Sequence, residues 1–276
     1  MPVPRLLVLD PNQVDAAAAE DLIQRMGALV AERGTVVVTL PFGRTPTRLY
    51  SLWRASQGVD WSQVVLVSGD EYLGAGIDDP DSGSGYLMEH LVGPLLNQGP
   101  LERRLQESHV RLLDGTQEPV AELQAHEEFI AGHGGIDIAL LGVGAGPAWS
   151  LYRTYRWLRR VPGGATAVAA LASVSSSPHI WFNERHSSFA SRSRVVQLTA
   201  HTRRVNSTAR RAALTIGLQN VTEAGQIVAL VKGERKRSAL DLLLHGPVSE
   251  RIPLSVLTRP DVAPRVTIYA DTRAAG

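Results

Sequence analysis

Short runs of β-branched and aliphatic residues alternate along this chain with stretches that carry apolar residues at helical spacing, and few folds can accommodate that rhythm. Leu6-Leu7-Val8-Leu9 is too short for a helix and reads as a first strand, followed by a predicted helix over Val14 to Glu32. Thr35 to Leu40 reads as a second strand, with Gly43 and Pro46 making a tight turn into a helix that aligns Leu49, Tyr50 and Trp53. The alternation returns in Gln63 to Val67, a helix over Gly85 to Leu96, Val110 to Leu113, a helix over Pro119 to Ala131, and Ile136 to Leu141. Runs as apolar as Ile138 to Leu141 are expected to be buried on both faces, so the pattern predicts a parallel sheet flanked by helices. In such a sheet ligands bind beyond the carboxyl ends of the strands, where Gly43, Asp70 and Gly144 all fall.

The rhythm breaks over residues 146–178, an aromatic and arginine-rich stretch (Trp149 to Arg160) followed by Gly163-Gly164, an Ala-rich run and Ser173 to Ser177. Afterwards Val195 to Leu198, a predicted helix over Ser207 to Gln219, strand Ile227 to Val231, helix Arg237 to Leu244 and strand Val266 to Tyr269 resume it. The expectation is one α/β domain spanning residues 1–276, with residues 146–178 as an insertion. Trp149, Tyr152, Tyr155 and Leu158 fit one helix face with arginines around it; a lid or subunit-contact helix, a surface segment and a membrane or nucleic-acid contact are the readings open for it.

Composition closes off several functions. The chain has no cysteine, which removes disulfides, thiolate metal sites and cysteine nucleophiles. With 28 Lys+Arg against 27 Asp+Glu it has no polyanion-binding balance, so nucleic acid is not the expected partner. Arg5 and a short apolar run stand where a signal peptide would begin, and no 18-residue apolar span occurs, so a soluble, cytoplasmic protein without a membrane partner is expected.

Three clusters fall at strand ends. In Pro41-Phe42-Gly43-Arg44-Thr45-Pro46, Gly43 permits a tight turn and Thr45 is placed to cap a helix whose free N–H groups would face an anion; the alternative is an ordinary strand-to-helix turn. In Ser68-Gly69-Asp70-Glu71-Tyr72, two adjacent acids point different ways, so one can enter a cleft as a base while its neighbour is fixed; capping or surface charge is the alternative. In His179-Ile180-Trp181-Phe182-Asn183-Glu184, His179 can exchange a proton near neutral pH and Glu184 can hold its second nitrogen, or the pair is structural. A later stretch, Lys232 to Arg237, either starts a solvated helix or puts a cation beside a bound phosphate.

These pieces, in this order, resemble the glucosamine-6-phosphate deaminase/isomerase family, related to the 6-phosphogluconolactonases. The matching phrases are LPFGRTP (40–46), GDEYLG (69–74), GGIDIALLGVGA (134–145), HIWFNE (179–184), SSFASRSRVVQLT (187–199) and ALTIGL (213–218). The resemblance implies an α/β fold with a modified Rossmann-like parallel sheet flanked by helices, of the NagB/RpiA/CoA-transferase-like kind. DEY followed by Leu-Gly, and FNE after His179, look like the deaminase branch. By resemblance Asp70 moves a proton between sugar carbons, His179 assists ring opening and Glu184 orients His179. Gly43, Thr45 and Lys236 match phosphate-site positions, Arg44 stands in for a cation missing there, and Arg194 lies where some hexameric members form an allosteric phosphate site. The implied reaction is isomerisation and deamination of glucosamine 6-phosphate or a related amino-sugar phosphate, with a small-molecule sugar phosphate as partner, no cofactor and no metal, and with a homo-oligomer in keeping with the family. Lactone hydrolysis, and a sugar-phosphate binder without turnover, are the competing expectations. The second is motivated by Ser177-Pro178, which stand before His179 where the family carries an acid or amide and a glycine.

Overall fold

The computed structural model describes residues 3–144 and 178–276. All but the last residue of the 146–178 stretch therefore lies outside the described residues. In chain order the elements are β1 (Arg5–Leu9), α1 (Val14–Arg33), β2 (Val36–Leu40), α2 (Thr47–Ala55), β3 (Val64–Ser68), β4 (Asp70–Tyr72), α3 (Gly83–Leu87), a π turn (Met88–Val92), α4 (Gly93–Asn97), β5 (Val110–Arg111), α5 (Pro119–Gly132) and β6 (Ile138–Gly142). Beyond Pro178 come β7 (Arg194–Gln197), α6 (Ala200–Val205), β8 (Ala212–Thr215), α7 (Leu218–Glu223), β9 (Gln226–Val231), α8 (Arg237–His245), β10 (Val266–Asp271) and α9 (Thr272–Ala275).

Seven strands form one parallel sheet in the order β1-β10-β9-β6-β2-β3-β5. Successive side chains leave a strand on opposite faces, and the two cores follow that alternation. Val36, Val38, Leu40, Leu66, Ile138, Leu140, Val228 and Leu230 pack one way, against Leu22 and Met26 of α1 and Tyr50 and Trp53 of α2. Val37, Val65, Val67, Ala139, Leu141, Ile227, Ala229 and Val231 pack the other way, against Ile130 of α5 and Leu240 and Leu243 of α8. Helices cover both faces, and the central strands are apolar throughout because neither face meets water.

Two expectations need correction. The predicted helix over Ser207 to Gln219 does not form. The chain instead runs through Ser207 in the left-handed region (φ 55), enters β8, and begins a helix only at Leu218, after Gly217. Ala213, Leu214 and Ile216 suit a helix locally, but β8 is paired on both sides, with β4 and β7, in a second, antiparallel sheet ordered β4-β8-β7. Tertiary pairing outweighs propensity there. The run over Val195 to Leu198 likewise belongs to this small sheet rather than to the parallel one. The helix expected over Gly85 to Leu96 is present but passes through the π turn just before Pro94, a residue without the N–H a regular helix needs. Among the described residues no helix is long and apolar enough to cross a membrane.

Candidate active site

The order β9-β6-β2-β3 within a parallel sheet puts the carboxyl ends of four neighbouring strands along one edge. Connections from β2 run toward β3 and those from β6 toward β9, so the chain diverges between β2 and β6, the place where open α/β sheets form a crevice. Three of the clusters singled out in the sequence follow one of these ends directly, and the His179 cluster packs against the end of β6.

After β2, Gly43 turns the chain with φ 104, a conformation side chains disfavour. Thr45 does not cap the helix that follows. The cap position of α2 is Pro46, without a side-chain acceptor, while Thr47 Oγ1 reaches back to the carbonyls of Arg44 and Gly43 and lies 2.6 Å from the Tyr86 hydroxyl. Proline supplies no oxygen to the first turn, so the leading N–H groups of α2 keep their capacity to bind an anion. Arg44 is exposed on the same turn. The turn closes over β6, since a Cβ built on Gly142 would lie 3.9 Å from the Cβ of Thr45.

After β3, the two acids diverge as the sequence suggested. The Glu71 carboxylate is fully buried and saturated: it accepts from the N–H groups of Tyr72 (2.7 Å), Gly83 (3.0 Å) and Ser84 (2.7 Å) and from the Ser82 hydroxyl (2.7 Å), and so anchors the start of α3. Asp70 is also buried, yet its Oδ1 has no hydrogen-bond partner. Burial, and secondarily the neighbouring charge of Glu71, push its pKa well above the ordinary carboxylate range. A dry carboxyl group of raised basicity beside a fixed one is the arrangement a proton-transferring base requires.

At the end of β6, Gly144 N–H donates to the His179 carbonyl (3.0 Å), and Val143 bridges to Ile180. The imidazole lies so close that a Cβ on Gly144 would stand 2.5 Å from its Nε2, which makes glycine necessary there. The turn that follows is tied down by Asn183, fully buried, whose side-chain amide donates to the carbonyls of Ile216 (2.8 Å) and Ile180 (3.2 Å) and whose Oδ1 accepts from Arg194 (2.8 Å). Arg194 also donates to Ser187 (2.9 Å), and burial lowers its pKa. Both oxygens of Glu184 serve the start of α6, accepting from Thr199 N–H (2.9 Å), the Thr199 hydroxyl (3.0 Å) and the Thr202 hydroxyl. Pro178, before His179, is buried and its carbonyl accepts from Leu254; Ser177 lies outside the described residues.

The clusters meet through three rings. Phe42, Tyr72 and Phe182 come one from each, with centroids 5.0 to 6.0 Å apart and tilted or edge-on packing. After β9, Gly233 (φ 88) turns the chain so that Lys236 comes down on the same edge, where burial and then the charge of Arg235 bring its pKa down to about 8. A half-buried cation and a buried carboxyl group with one unpartnered oxygen thus follow different strands of the same edge, a charge pattern suited to a substrate with an anionic group remote from its reacting carbon.

Known proteins share this architecture. Residues 9–180, well over half of the chain, match the family model described as glucosamine-6-phosphate isomerases/6-phosphogluconolactonase. The chain belongs to this family. A glucosamine-6-phosphate deaminase of Halalkalibacterium halodurans is 30% identical over 274 residues, covering 95% of this chain and 93% of that protein. Glucosamine-6-phosphate deaminase 2 of Bacillus subtilis is 28% identical, covering 93% of each. Among solved structures, a monomeric glucosamine-6-phosphate deaminase matches with a TM-score of 0.76 at 24% identity over 98% of both chains. The 6-phosphogluconolactonase of Thermotoga maritima matches with a TM-score of 0.70 at 15% identity, over 97% of this chain and 99% of that one.

The family's α/β parallel sheet is thus the fold of this chain, and its sugar-phosphate chemistry is the class to which the site belongs. Gly43, Thr45, Asp70 and Lys236 follow neighbouring strand ends and His179 packs against the end of β6, whereas Arg194 lies at the start of β7, in the small sheet, bound to the turn through Asn183. Sequence reading assigned no role to Trp181, Asn183, Phe42 or Phe182. The signal available was their place inside or beside the quoted phrases, but a buried aromatic in a motif looks the same as a core residue until its neighbours are known.

Proposed function

We propose that the chain converts glucosamine 6-phosphate, or a close amino-sugar phosphate, to a ketose phosphate and ammonia. The observation that carries this reading is Asp70: a buried carboxyl with an unpartnered oxygen and a raised pKa, at a strand end that adjoins the one carrying the turn at Gly43. In the open-chain aldehyde, Asp70 takes the proton from C2, leaving an enol at C1 and the amine at C2. Return of the proton to C1 gives an iminium at C2; water adds there, and the nitrogen leaves as ammonium. A carboxyl whose pKa is raised by burial is a stronger base than an ordinary solvated aspartate and so is better suited to both transfers.

His179 assists opening of the sugar ring, moving a proton between the C1 hydroxyl and the ring oxygen. Glu184 acts through the turn it fastens to α6, holding the backbone that carries His179. The phosphate is received by the N–H groups of the turn at Gly43 to Thr45 and of the uncapped first turn of α2, with Lys236 and Arg44 adding charge. The high-coverage likeness to two named glucosamine-6-phosphate deaminases supports this choice over a lactone.

The test is to identify the products. Incubation with glucosamine 6-phosphate is expected to release ammonia and ketose phosphate in equal amounts, with Asp70→Asn reducing kcat by about a thousandfold or more and His179→Gln by about a hundredfold. Acid formation from a sugar-phosphate lactone without nitrogen release would favour lactone hydrolysis. Tight sugar-phosphate binding with no product from either substrate would leave a binder.

A further inference from the structure

Gly69, the residue before Asp70, is held from three directions. Its N–H donates to the Leu40 carbonyl at the end of β2 (3.1 Å), and its carbonyl accepts from Ile216 N–H beyond β8 (2.9 Å). The third direction, where a side chain would project, is filled by the Trp181 indole: a Cβ on Gly69 would stand 2.3 Å from Nε1 and Cε2 and 2.7 Å from Cδ2. Even alanine cannot fit there while the ring keeps its place.

Trp181 reaches this position at a cost visible in its own backbone. It has φ 49, a region that bulky L-residues avoid, and its buried Nε1 has no hydrogen-bond partner. Such a conformation persists only where the surroundings over-determine it, and strain of this kind gathers at functional sites. The surroundings here are explicit. Ile180 bridges to Val143 and accepts from both the N–H and the side-chain amide of Asn183, so the turn cannot relax by letting Trp181 swing away.

We infer that Trp181 is a positioning residue for Asp70, its indole matched to the absent side chain of Gly69 so that the ring fixes the strand end that carries the carboxyl group. The inference rests on the reading of Asp70 as the proton-transferring base. Glycine at 69 and tryptophan at 181 form one device, and each is predicted to be intolerant of change only while the other is present.

Four variants test it: Trp181→Phe, Trp181→Ala, Gly69→Ala and the double variant Gly69→Ala/Trp181→Ala. Removing the ring frees the strand end, so Trp181→Ala is expected to lower kcat by about tenfold to a hundredfold, with KM within about threefold. Trp181→Phe, which keeps a ring, should restore most of kcat. Gly69→Ala is expected to cut kcat by about tenfold or more beside Trp181 but by less than about threefold in the Trp181→Ala background, a coupling that independent sites do not show. A substrate-free readout separates this device from the assigned reaction: in denaturant titration Gly69→Ala should lower the midpoint beside Trp181 and do so much less in the Trp181→Ala background, whatever the substrate proves to be. An unchanged kcat in Trp181→Ala, or equal effects of Gly69→Ala in both backgrounds on kcat or on the midpoint, would each overturn the inference.

Discussion

Asp70 is a buried and Lys236 a half-buried ionisable group, and their displaced pKa values have opposite consequences for folding and for binding. Asp70 titrates above its ordinary value in the folded state, so between that value and its folded pKa the native protein holds a proton that the unfolded chain has released. Stability therefore falls as pH rises through this window, by about 1.4 kcal/mol for every pH unit the window spans. Asp70→Asn is expected to abolish turnover yet raise the denaturation midpoint at pH 7 by roughly 2 °C or more, and to have no such effect at pH 3. Calorimetry at the two pH values checks this, and an Asn variant less stable at pH 7 would mean that the carboxylate is structural. Lys236 has its pKa lowered to about 8, so it carries its charge below that value and loses it above. Affinity for a sugar phosphate should fall as pH rises through about 8, and this basic limb should be missing in Lys236→Met. Titration calorimetry would read both; a limb that survives in the variant would assign the phosphate to other groups. Much of this was legible beforehand: the adjacent acids at 70 and 71 suggested one mobile and one fixed group, and Glu71 is the fixed one through three N–H groups and a hydroxyl. Which of the two would be fixed was not legible, because those donors come mainly from α3, eleven to thirteen residues away.

At the scale of elements, the turn from His179 to Glu184 has no regular secondary structure to hold it, so its shape depends on a few side chains. Asn183 is the clearest: one fully buried amide satisfies two carbonyls and receives Arg194. Asn183→Ala leaves the Ile216 carbonyl without this donor and is expected to cost about 2 kcal/mol of stability, with kcat falling more than KM rises. Denaturant titration beside steady-state kinetics would check it; a stability loss under about 0.5 kcal/mol would show that the turn is carried by other contacts. The elements read most reliably from sequence were those whose pattern is set by local chemistry and by burial on both faces, such as α1, β2, β6 and α8. The least legible was β8, whose sequence suits a helix and whose strand pairing comes from Asp70–Tyr72 and Arg194–Gln197, the first of them far away in the chain. The turn at Thr45 departs from its sequence pattern for a related reason: the cap position falls one residue later, on Pro46, and Thr47 rather than Thr45 makes the local hydrogen bonds.

For the molecule as a whole, the parallel sheet does the work of assembly. Four neighbouring strands end on one edge, three of them leading directly into a segment with a candidate functional group and the fourth, β6, packing against the His179 segment, so candidate residues from 43 to 236 gather there from widely separated parts of the chain. That edge could be anticipated from strand rhythm alone, whereas the divergence between β2 and β6 could not, because strand order is set by how the helices pack. The fold also carries an acid sensitivity in a buried histidine. His126 on α5 is fully buried, and burial followed by the charge of Arg111 lowers its pKa to about 3, against a smaller opposing effect of the Ser68 backbone. Because the unfolded chain binds a proton there near pH 6.5 and the native one does not, stability is lost as pH falls from about 6.5 toward 3, by up to about 1.4 kcal/mol per pH unit. His126→Leu should flatten this part of the stability profile, as followed by the denaturation midpoint against pH, and an unchanged slope would place the acid sensitivity in other groups.

The measurement that bears most directly on the assigned chemistry is the fate of the hydrogen at C2. Incubated with glucosamine 6-phosphate deuterated at C2, the protein is predicted to yield ketose phosphate bearing deuterium at C1 together with an equal amount of ammonia, both abolished in Asp70→Asn. Product formation that continues unchanged in Asp70→Asn, or ketose phosphate from the wild type with no deuterium at C1, would contradict the account.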